Sequence, residues 1–562
     1  SAGRVQSVAL KLVVNLEEKI QNFKKVEFWN IEANFRKSKL DEKKGSFYAK
    51  LYAIEGYSQK PLVPDESNAN EIEKDIKNSE YEVDKIKIEE KIRKPAPPFI
   101  TSTLQQDASR TLKFSPAQTM NIAQQLYQGL KLGTEGEVGL ITYMRTDSTN
   151  VSSIFLKETS EYILKNYGDK FLPKTPRKYS KKVKGAQEAH EAIRPTSVFR
   201  DPASVKPYLD TDQFKLYDLI WKRMVASQME NTILDSTTVE IVTNSSTSGK
   251  KYIFQVIGSV TKFKGFRTLY IEGTDDDDLT VNNDDALPVL TEGEVLKCIE
   301  ITSEQKFTEP PRRYTEASLI RDLEKAGIGR PSTYATIVKT IQDRGYAVKD
   351  KGRFTPTKLG NVVTNFLNQH FNKNIMDVKF TAKIEKQLDD IVEGNTGYNP
   401  VLSALYSPFQ QALKNAEEAD GVKNLFFEQT EIVCQLCERY MLKRDGRNGQ
   451  FLACSGFPDC RNTMQLAEDG KTAIPKTPPK ETDYKCDKCD KAMVIKEGRR
   501  GEFLACSGFP KCRNTMQLAE DGKTAIPKTP PKETDHKCDK CNKTMVIKEG
   551  RRGEFLACSG FP

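Results

Sequence analysis

The chain has 562 residues, 37% of them hydrophobic and 29% charged, with a mean hydropathy of −0.60, so roughly three to five domains of about 100–150 residues are expected. Its net charge of +9, from 87 Lys and Arg against 78 Asp and Glu, suits an anionic partner but is too small at this length to identify nucleic acid. The sequence has no run of about 18 apolar residues and no basic-then-apolar leader, so neither a membrane span nor a membrane partner is expected.

Both ends read as cuts from a longer protein. The first residues, Ser1-Ala-Gly-Arg-Val-Gln-Ser7, lack an initiator methionine, and the last, Cys558-Ser-Gly-Phe-Pro562, stop inside a repeated unit. We therefore expect the parent protein to extend beyond both ends.

The first part of the chain predicts a helix followed by strands and a second helix. Apolar residues recur at helical spacing over 7–23, and they alternate over 29–35 and 47–53, as is typical of strands. Ser115, followed by proline, starts a helix of capping-box type that we expect to stop near Gly133.

The stretch Gly139-Leu-Ile-Thr-Tyr-Met-Arg-Thr-Asp-Ser148 is predicted to be a strand. Taken alone, Tyr143 is one of twenty tyrosines, and a buried core tyrosine on the same strand face as Ile141 is its ordinary interpretation. Arg145 follows two residues later and is predicted to share that face.

The second part predicts strands around 237–243 and 251–258, an acidic solvated loop at 275–278, and a compact motif at 315–355. In that motif Thr315 caps a helix, Gly327-Ile-Gly-Arg-Pro331 makes a tight turn, and a second helix leads into a small hairpin. Helix, turn, helix and wing is the order of a winged helix, which often carries cations onto DNA. An ordinary αα-hairpin is the equally weighted alternative.

Eleven of the twelve cysteines follow residue 433 and form three sets of the type C-x2-C-x16-C-x5-C, the last lacking its fourth member. Two thiolate pairs separated by the length of a hairpin can close around one tetrahedral ion, which predicts structural zinc. Disulfides are the alternative, disfavoured by the missing leader and by the single cysteine, Cys298, in the preceding part. The predicted zinc ligands are Cys434, Cys437, Cys454, Cys460, Cys486, Cys489, Cys506, Cys512, Cys538, Cys541 and Cys558.

Aromatic residues recur in the cysteine-rich tail at Phe451, Phe503 and Phe555, among cations such as Arg499 and Arg500. Rings among cations can stack single-stranded bases. For any one ring, covering the small ribbon core is the simpler interpretation.

Several segments, in their order along the chain, resemble those of bacterial DNA topoisomerase I, a type IA topoisomerase. The stretch at 139–148 resembles the catalytic-tyrosine motif of that family, and the cysteine-rich tail fits its zinc ribbons. The resemblance spans essentially the whole chain, and no single motif carries it. The other matching segments are Ser1-Ala-Gly-Arg-Val-Gln-Ser7, Pro97-Pro-Phe-Ile-Thr-Ser102, Ala186-Gln-Glu-Ala-His-Glu-Ala-Ile-Arg-Pro195, Tyr314-Thr-Glu-Ala-Ser-Leu319 and Gly327-Ile-Gly-Arg-Pro-Ser-Thr-Tyr334.

The resemblance implies a mixed α/β multidomain fold, with a toroidal core and C-terminal zinc ribbons. In that core a β-rich arch lifts the tyrosine domain away from the base, so that an intact strand can pass. The implied segments are 1–37 and 306–424 for a winged-helix-like base, 38–102 and 233–305 for the arch, 103–232 for the catalytic-tyrosine domain, and 425–472, 473–524 and 525–562 for three zinc ribbons, the third truncated.

The resemblance also implies ATP-independent relaxation of negatively supercoiled DNA through transient single-strand cleavage. Tyr143 is the implied nucleophile, and a 5′-phosphotyrosyl bond would conserve the energy of the broken strand for religation. Because a free phenol has a pKa of about 10, a nearby cation must favour the phenolate, and Arg145 is the implied catalytic cation. Asp147 is expected to orient Arg145.

Further residues match positions at which the family contacts DNA, mostly through phosphates, which position a strand without reading its sequence. The implied partners are single-stranded and negatively supercoiled DNA, with RNA polymerase as a further candidate. The chain is expected to act as a monomer in the bacterial cytoplasm. The implied DNA-binding residues are Ser1, Ala2, Gly3, Arg4, Val5, Gln6, Asp147, His190, Arg194, Thr315 and Arg330.

One departure from the family concerns magnesium. The family's N-terminal Toprim domain holds Mg²⁺ with a Glu and an Asp-x-Asp-x-Glu cluster, precedes the equivalent of Ser1, and has no match in this sequence. We expect Mg²⁺ to act only through the Toprim domain of the parent, and the chain alone to relax DNA little or not at all. No Gly-x4-Gly-Lys-Ser/Thr loop is present, in line with a reaction that needs no nucleotide.

Two other function classes remain as alternatives. In the first, the ribbons and winged helix bind DNA or RNA polymerase without catalysis, and loss of the Tyr143 hydroxyl would leave that binding intact. In the second, the chain is a sequence-specific transcription factor, which strong sequence preference in footprinting would support.

Overall fold

A computed structural model describes most of the chain, which divides into two compact units, Ser1–Phe426 and Phe427–Pro562. The predictions for Ser1, Ala2, the acidic run at 275–278 and the arginines at 499–500 lie outside the described residues, as do 186–189 of one matching segment. The described residues are 3–37, 45–57, 62–179, 190–244, 247–273, 287–372, 375–418, 428–446, 449–457, 459–467, 469, 472–474, 481–498, 501–508, 512–518, 525–526, 533–539, 541–550 and 553–560.

The first unit contains helices and antiparallel strands. Among its described residues, no helix is both long and apolar enough to cross a membrane. The helices are α1 (Arg4–Gln21), α2 (Glu66–Ile76), α3 (Thr101–Asp107), α4 (Pro116–Gln128), α5 (Ser153–Tyr167), α6 (Pro202–Val205), α7 (Thr211–Ser227), α8 (Glu316–Lys325), α9 (Tyr334–Asp343), α10 (Lys358–Phe371), α11 (Val378–Val392) and α12 (Tyr398–Glu418). The strands are β1 (Glu27–Lys37), β2 (Phe47–Ile54), β3 (Tyr81–Arg93), β4 (Leu130–Lys131), β5 (Glu137–Val138), β6 (Thr232–Thr243), β7 (Tyr252–Phe263), β8 (Val295–Phe307), β9 (Ala347–Asp350) and β10 (Arg353–Pro356).

Six of these strands close into an antiparallel barrel in the order β1-β2-β7-β6-β3-β8. Alternating residues point inward, and the rings of Phe35, Tyr81 and Phe254 meet edge to face at the centre of the barrel core. Strand β1 pairs with β8 along its whole length, from Glu27 opposite Phe307 to Lys37 opposite Leu296. The segment 27–37 therefore lies in the barrel, whereas the sequence analysis assigned 1–37 to the base.

Helix α1 instead packs with the helices that follow the barrel. Leu10 lies in one buried core with Leu319 of α8, Ile337 of α9 and Phe354 of β10. The two helices and the hairpin predicted over 315–355 are present as α8, α9 and the pair β9–β10. The N-terminal helix thus completes the core of a helix–turn–helix–hairpin unit that lies some 300 residues away in sequence.

Helices α3 to α7 form a separate core around Leu126, Leu140 and Trp221. Helix α4 begins as predicted, since the Ser115 side chain accepts from the amide of Gln118. It ends at Gly129 rather than near Gly133, because Gly129 takes a φ of 116°, which a side chain would disfavour.

The second unit consists of repeated small antiparallel sheets. Two of them have five strands each, and the third has three among the described residues. The strands are β11 (Glu428–Val433), β12 (Tyr440–Gly446), β13 (Gly449–Cys454), β14 (Thr463–Leu466) and β15 (Ala473–Ile474), then β16 (Glu481–Lys485), β17 (Ala492–Gly498), β18 (Gly501–Cys506), β19 (Thr515–Leu518) and β20 (Ala525–Ile526), then β21 (Glu533–Lys537), β22 (Thr544–Gly550) and β23 (Gly553–Cys558).

Candidate active site and zinc ribbons

A cleft of about 390 Å³ brings together five residues that the sequence analysis selected from distant parts of the chain. It lies where the core of α3 to α7 faces the unit built from α1 and α8 to α11. Gln106 of α3 donates to Glu324 of α8 at 3.3 Å across the same junction. The selected residues that line the cleft are Tyr143, Arg145, Asp147, His190 and Arg330.

The segment that carries Tyr143 is extended but bent, and it forms no strand. Its residues nevertheless alternate, so that Tyr143 and Arg145 are exposed while Met144 and Thr146 are buried. Tyr143 is 43% exposed, whereas Ile141 is 1% exposed, so the two do not share a face as predicted. The ring of Tyr127 meets that of Tyr143 edge to face, with 5.3 Å between centroids.

Two neighbouring segments hold this stretch by hydrogen bonds. On one side the Thr101 hydroxyl donates to the carbonyl oxygens of Met144 at 2.7 Å and Thr146 at 3.0 Å, and it accepts from the Thr146 amide at 2.9 Å. On the other side the Thr142 hydroxyl donates to the carbonyl of Ala192 at 2.6 Å and accepts from the amide of Arg194 at 3.0 Å. Three of the segments that carry the resemblance therefore meet at Tyr143.

Arg330 reaches the cleft from the turn before α9. Gly329 has a φ of +88°, and a Cβ added there would lie 2.9 Å from the ring of Tyr334, so this tight turn requires glycine. The Arg330 guanidinium donates to both carboxylate oxygens of Asp389, at 3.1 and 2.6 Å. Burial by itself would lower the pKa of Arg330, but the hydrogen bonds and charge of Asp389 outweigh it, and the pKa is raised.

Arg4 lies near the same group without lining the cleft. Its guanidinium donates to the carbonyl of Thr381 at 3.1 Å and forms an ion pair with Glu385. The second oxygen of Glu385 lies 3.5 Å from Arg330, so one carboxylate, 8% exposed at its side chain, joins both arginines.

Four other predicted DNA-binding residues pack against the protein or cap a helix and do not line the cleft. The Arg194 guanidinium is 11% exposed, pairs with Glu191 at 2.5 Å and lies over the ring of Phe155, so it packs inward and does not line the cleft. The Thr315 hydroxyl accepts from the Ser318 amide as the cap of α8. Val5 packs against the core of α1, and the Gln6 side chain lies against Gly3.

The orienting contact predicted between Asp147 and Arg145 is not formed. In the part of the chain that the structure describes, neither a hydrogen bond nor an ion pair joins the two side chains. Burial raises the pKa of Tyr334, and the negative charges of Glu324 and Asp147 contribute to the same shift. Asp147 thus lies among the groups around Tyr334.

Sequence reasoning missed one set of cleft residues, the carboxylates Asp389 and Glu393 together with the adjacent Glu385. They follow one another at intervals of four residues along α11 and its C-cap, so they share a helix face. That spacing is visible in the sequence, but charged residues at such intervals are common on solvated helices, and only the structure shows what this face meets.

The cysteines of each ribbon converge on one point, as a metal site requires. The ligand atoms of each set lie within 4.8 Å of one another. In the first ribbon the sulfur atoms of Cys437 and Cys454 are 3.2 Å apart and those of Cys434 and Cys460 are 3.7 Å apart. These separations are close to the roughly 3.8 Å edge of a tetrahedron with Zn–S bonds of about 2.3 Å, and far from an S–S bond of about 2.0 Å. The four thiols fit zinc.

Asparagine side chains support the first two metal sites from outside. Asn462 donates to the sulfur of Cys434 at 3.4 Å, and Asn514 donates to that of Cys486 at the same distance. Burial by itself would raise the pKa of Cys434, but hydrogen bonds from Asn462 and from the backbone amides of Leu436 and Cys437 outweigh it, and the pKa is lowered to about 6. The thiolate is the form that binds zinc, so a lowered pKa favours metal binding. The third set, Cys538 with its two partners, converges in the same way.

Comparison with known proteins agrees with this geometry. A family model described as DNA topoisomerase matches residues 1–403, and one described as topoisomerase DNA binding C4 zinc finger matches 431–469, 483–521 and 535–562. The solved structure of full-length topoisomerase I from Thermotoga maritima is 33% identical, with a TM-score of 0.63, and the match covers 85% of this chain and 72% of that one. The predicted mixed α/β multidomain fold with structural zinc in C-terminal ribbons is confirmed, and the chain belongs to the bacterial type IA DNA topoisomerase family.

Proposed function

We propose that this chain is the strand-cutting part of an enzyme that relaxes negatively supercoiled DNA without ATP. Tyr143 cuts one strand, the intact strand passes through the break, and the break is then resealed. The observation that carries this proposal is the exposed pair Tyr143 and Arg145 in a cleft that also contains His190 and Arg330. Attack by the Tyr143 oxygen on a phosphodiester forms a phosphotyrosyl bond to the 5′-phosphate and releases a 3′-hydroxyl. Religation reverses these two changes, so the energy of the bond is kept.

Arg145 supplies positive charge where it is needed. Both side chains line the cleft from alternate positions of the bent segment, and the carbonyl of Met144, the buried residue between them, accepts from the Thr101 hydroxyl. A guanidinium in this position favours the phenolate and stabilises the crowded phosphate of the transition state. In this proposal Tyr143 and Arg145 are the catalytic residues.

The other predicted residues of the cleft position the strand. Arg330 contacts backbone phosphates, and His190 and Asp147 lie beside the scissile region. Arg4, in the first turn of α1, extends the phosphate contacts. The zinc ribbons hold single-stranded DNA through cations and exposed rings such as Phe555. In the cell the chain acts as a monomer in the bacterial cytoplasm, with RNA polymerase as a candidate protein partner.

The residues of the cleft do not fit magnesium. Among the described residues, the groups that could hold a metal ion are the three cysteine sets, and the cleft carboxylates Asp147, Asp389 and Glu393 do not gather into one. These residues therefore offer Mg²⁺ no site in the proposed reaction. In this proposal the parent's Toprim domain supplies the Mg²⁺ site, and the chain alone has little or no activity.

The test is covalent capture of DNA. The chain is incubated with labelled single-stranded DNA, with and without an added Toprim domain and Mg²⁺, and adducts are separated on a denaturing gel. We expect an adduct only with the added domain, and none from Tyr143→Phe. Tyr208→Phe is the matched control, because Tyr208 is also exposed and lies outside the cleft. DNA binding without an adduct under any condition would favour the non-catalytic binding role.

A further inference from the structure

The arginines that we propose to hold DNA phosphates already hold carboxylates. Glu385 joins Arg4 and Arg330 through its two oxygens, and Asp389 takes two further hydrogen bonds from Arg330. The side chains of these four residues are between 8% and 33% exposed, so the group is largely removed from solvent. Two positive and two negative charges meet there, and the group is close to neutral.

The carboxylates form a row with a regular spacing. The row consists of Glu385, Asp389 and Glu393, which are spaced four residues apart. Four residues of an α-helix advance about 6 Å along its axis. Successive phosphates of an extended single strand follow one another at a comparable distance. Asp389 and Glu393 line the cleft with Tyr143, so the row leads into the space that a strand must enter.

Carboxylates and phosphates bind arginine in the same way. Each offers oxygens that accept paired hydrogen bonds from the planar guanidinium fork, as Asp389 does with Arg330. Each paired carboxylate takes up part of the five N–H donors of a guanidinium, and its negative charge repels a phosphate that approaches the same arginine. Paired binding of a phosphate therefore competes with the carboxylate.

We propose that Glu385 and Asp389 of α11 form an internal phosphate mimic, which occupies Arg4 and Arg330 before a single strand enters and is displaced by the phosphates of that strand. The proposal rests on the part of the proposed function that assigns these two arginines to the DNA backbone. Glu385 and Asp389 compete with DNA and so weaken binding of any strand that cannot displace them, while Glu393, which accepts from Asn395, adds negative charge to the cleft lining.

The exchange has a measurable consequence for salt dependence. Arginines with bound counterions release them on binding, and each neutralised phosphate of a single strand contributes about −0.7 to the slope of log K against log salt. Arginines paired with internal carboxylates release no counterions. Removing the carboxylates should therefore both tighten binding and steepen the slope, by up to about 0.7 for each of the two arginines.

The experiment measures binding of a fluorescein-labelled oligothymidylate by anisotropy over a series of KCl concentrations. All proteins carry Tyr143→Phe, so that cleavage plays no part. We expect Glu385→Gln/Asp389→Asn to bind at least about threefold tighter at low salt, with a steeper slope. Glu393→Gln, at an exposed position, should tighten binding less. Asp390→Asn removes the same charge from the same helix outside the cleft, and its affinity and slope should not change.

Equal or weaker binding of Glu385→Gln/Asp389→Asn, with an unchanged slope, would overturn the proposal, because the carboxylates would then position the arginines for DNA. Thermal melting identifies a double variant that fails to fold, and Asp389→Asn alone then decides the question, because it removes the charge that is paired with Arg330. The result is separate from the adduct assay. If the variants bind more tightly but the chain with Tyr143 forms no adduct, the phosphate mimic is supported and the cleavage proposal fails. If an adduct forms but the variants bind no more tightly, the cleavage proposal is supported and the mimic fails.

Discussion

The hydroxyl of Thr101 donates to the carbonyl oxygen of Met144 at 2.7 Å, and through this bond the first turn of α3 holds the segment that presents Tyr143. The same hydroxyl accepts from the Thr146 amide. Because Met144 lies between Tyr143 and Arg145 and Thr146 follows Arg145, we expect the position of the nucleophile to depend on this threonine, which lies outside the cleft lining.

Thr101→Val tests this dependence. Valine has nearly the same shape but leaves the buried Thr146 amide without its acceptor, so we expect a loss of about 1–3 kcal/mol in the free energy of unfolding. Adduct formation, measured with the added Toprim domain, should fall by more than the fraction of folded protein does. Thr159→Val is the control, since among the described residues that buried hydroxyl bonds only to the carbonyl of Phe155 in its own helix. Equal effects of the two substitutions on adduct formation would refute a positioning role.

Arg145→Ala should slow covalent capture while DNA binding changes little. A guanidinium that stabilises a transition-state charge is worth roughly 100- to 1,000-fold in rate, by analogy with the loss of one oxyanion donor. Rates of adduct formation and affinities for the same oligonucleotide are to be compared. Arg200→Ala serves as the control, since that arginine pairs with Glu135 away from the cleft. A variant that loses affinity and rate in proportion would show that Arg145 only binds the strand.

Asn462→Ala should weaken zinc binding in the first ribbon by about 10- to 100-fold, because the substitution removes an outer hydrogen bond to the Cys434 sulfur. The second ribbon, with Asn514 intact, is an internal control in the same molecule. Competition with a chelator, followed by mass spectrometry of alkylated cysteines, measures the two sites separately. Simultaneous release from both ribbons would contradict the prediction.

Glu17→Gln should lower stability at neutral pH and flatten its decline in acid. The Arg313 guanidinium donates to both Glu17 oxygens, at 2.7 and 2.8 Å, and lowers the pKa of that carboxyl in the folded state. Stability from this pair is therefore present above the unfolded pKa of about 4.3 and is lost as pH falls through the lowered value. About 1–2 kcal/mol is expected, discounted because Arg313 is half exposed.

Denaturant unfolding at several pH values measures this effect. Glu18→Gln, on the exposed side of the same helix, should change stability by less than about 0.5 kcal/mol and leave the pH dependence as it is. A Glu17→Gln protein with the same acid slope as the parent would show that this ion pair contributes nothing.

Features formed by residues that are close together in the sequence could be predicted from it. The cysteine pairs of each ribbon, such as Cys434 and Cys437, are separated by short and repeated distances, so their convergence follows from a turn and a hairpin. Helix α4 begins where Ser115 can cap it, for the same local reason. Tyr143 was selected only through its resemblance to a family motif, because its local pattern favoured a buried tyrosine.

Features that join distant segments were decided by the tertiary structure alone. Strand β1 belongs to the barrel because β8, about 270 residues later, supplies its partner along the whole length, and no local pattern records such pairing. The inward packing of Arg194 depends on Glu191 and on the ring of Phe155. Glu385 meets Arg4 only because α11 packs beside α1. Sequence alone thus determined which residues could do chemistry, and long-range packing decided which of them face one another, because ion pairing and burial depend on distance in space.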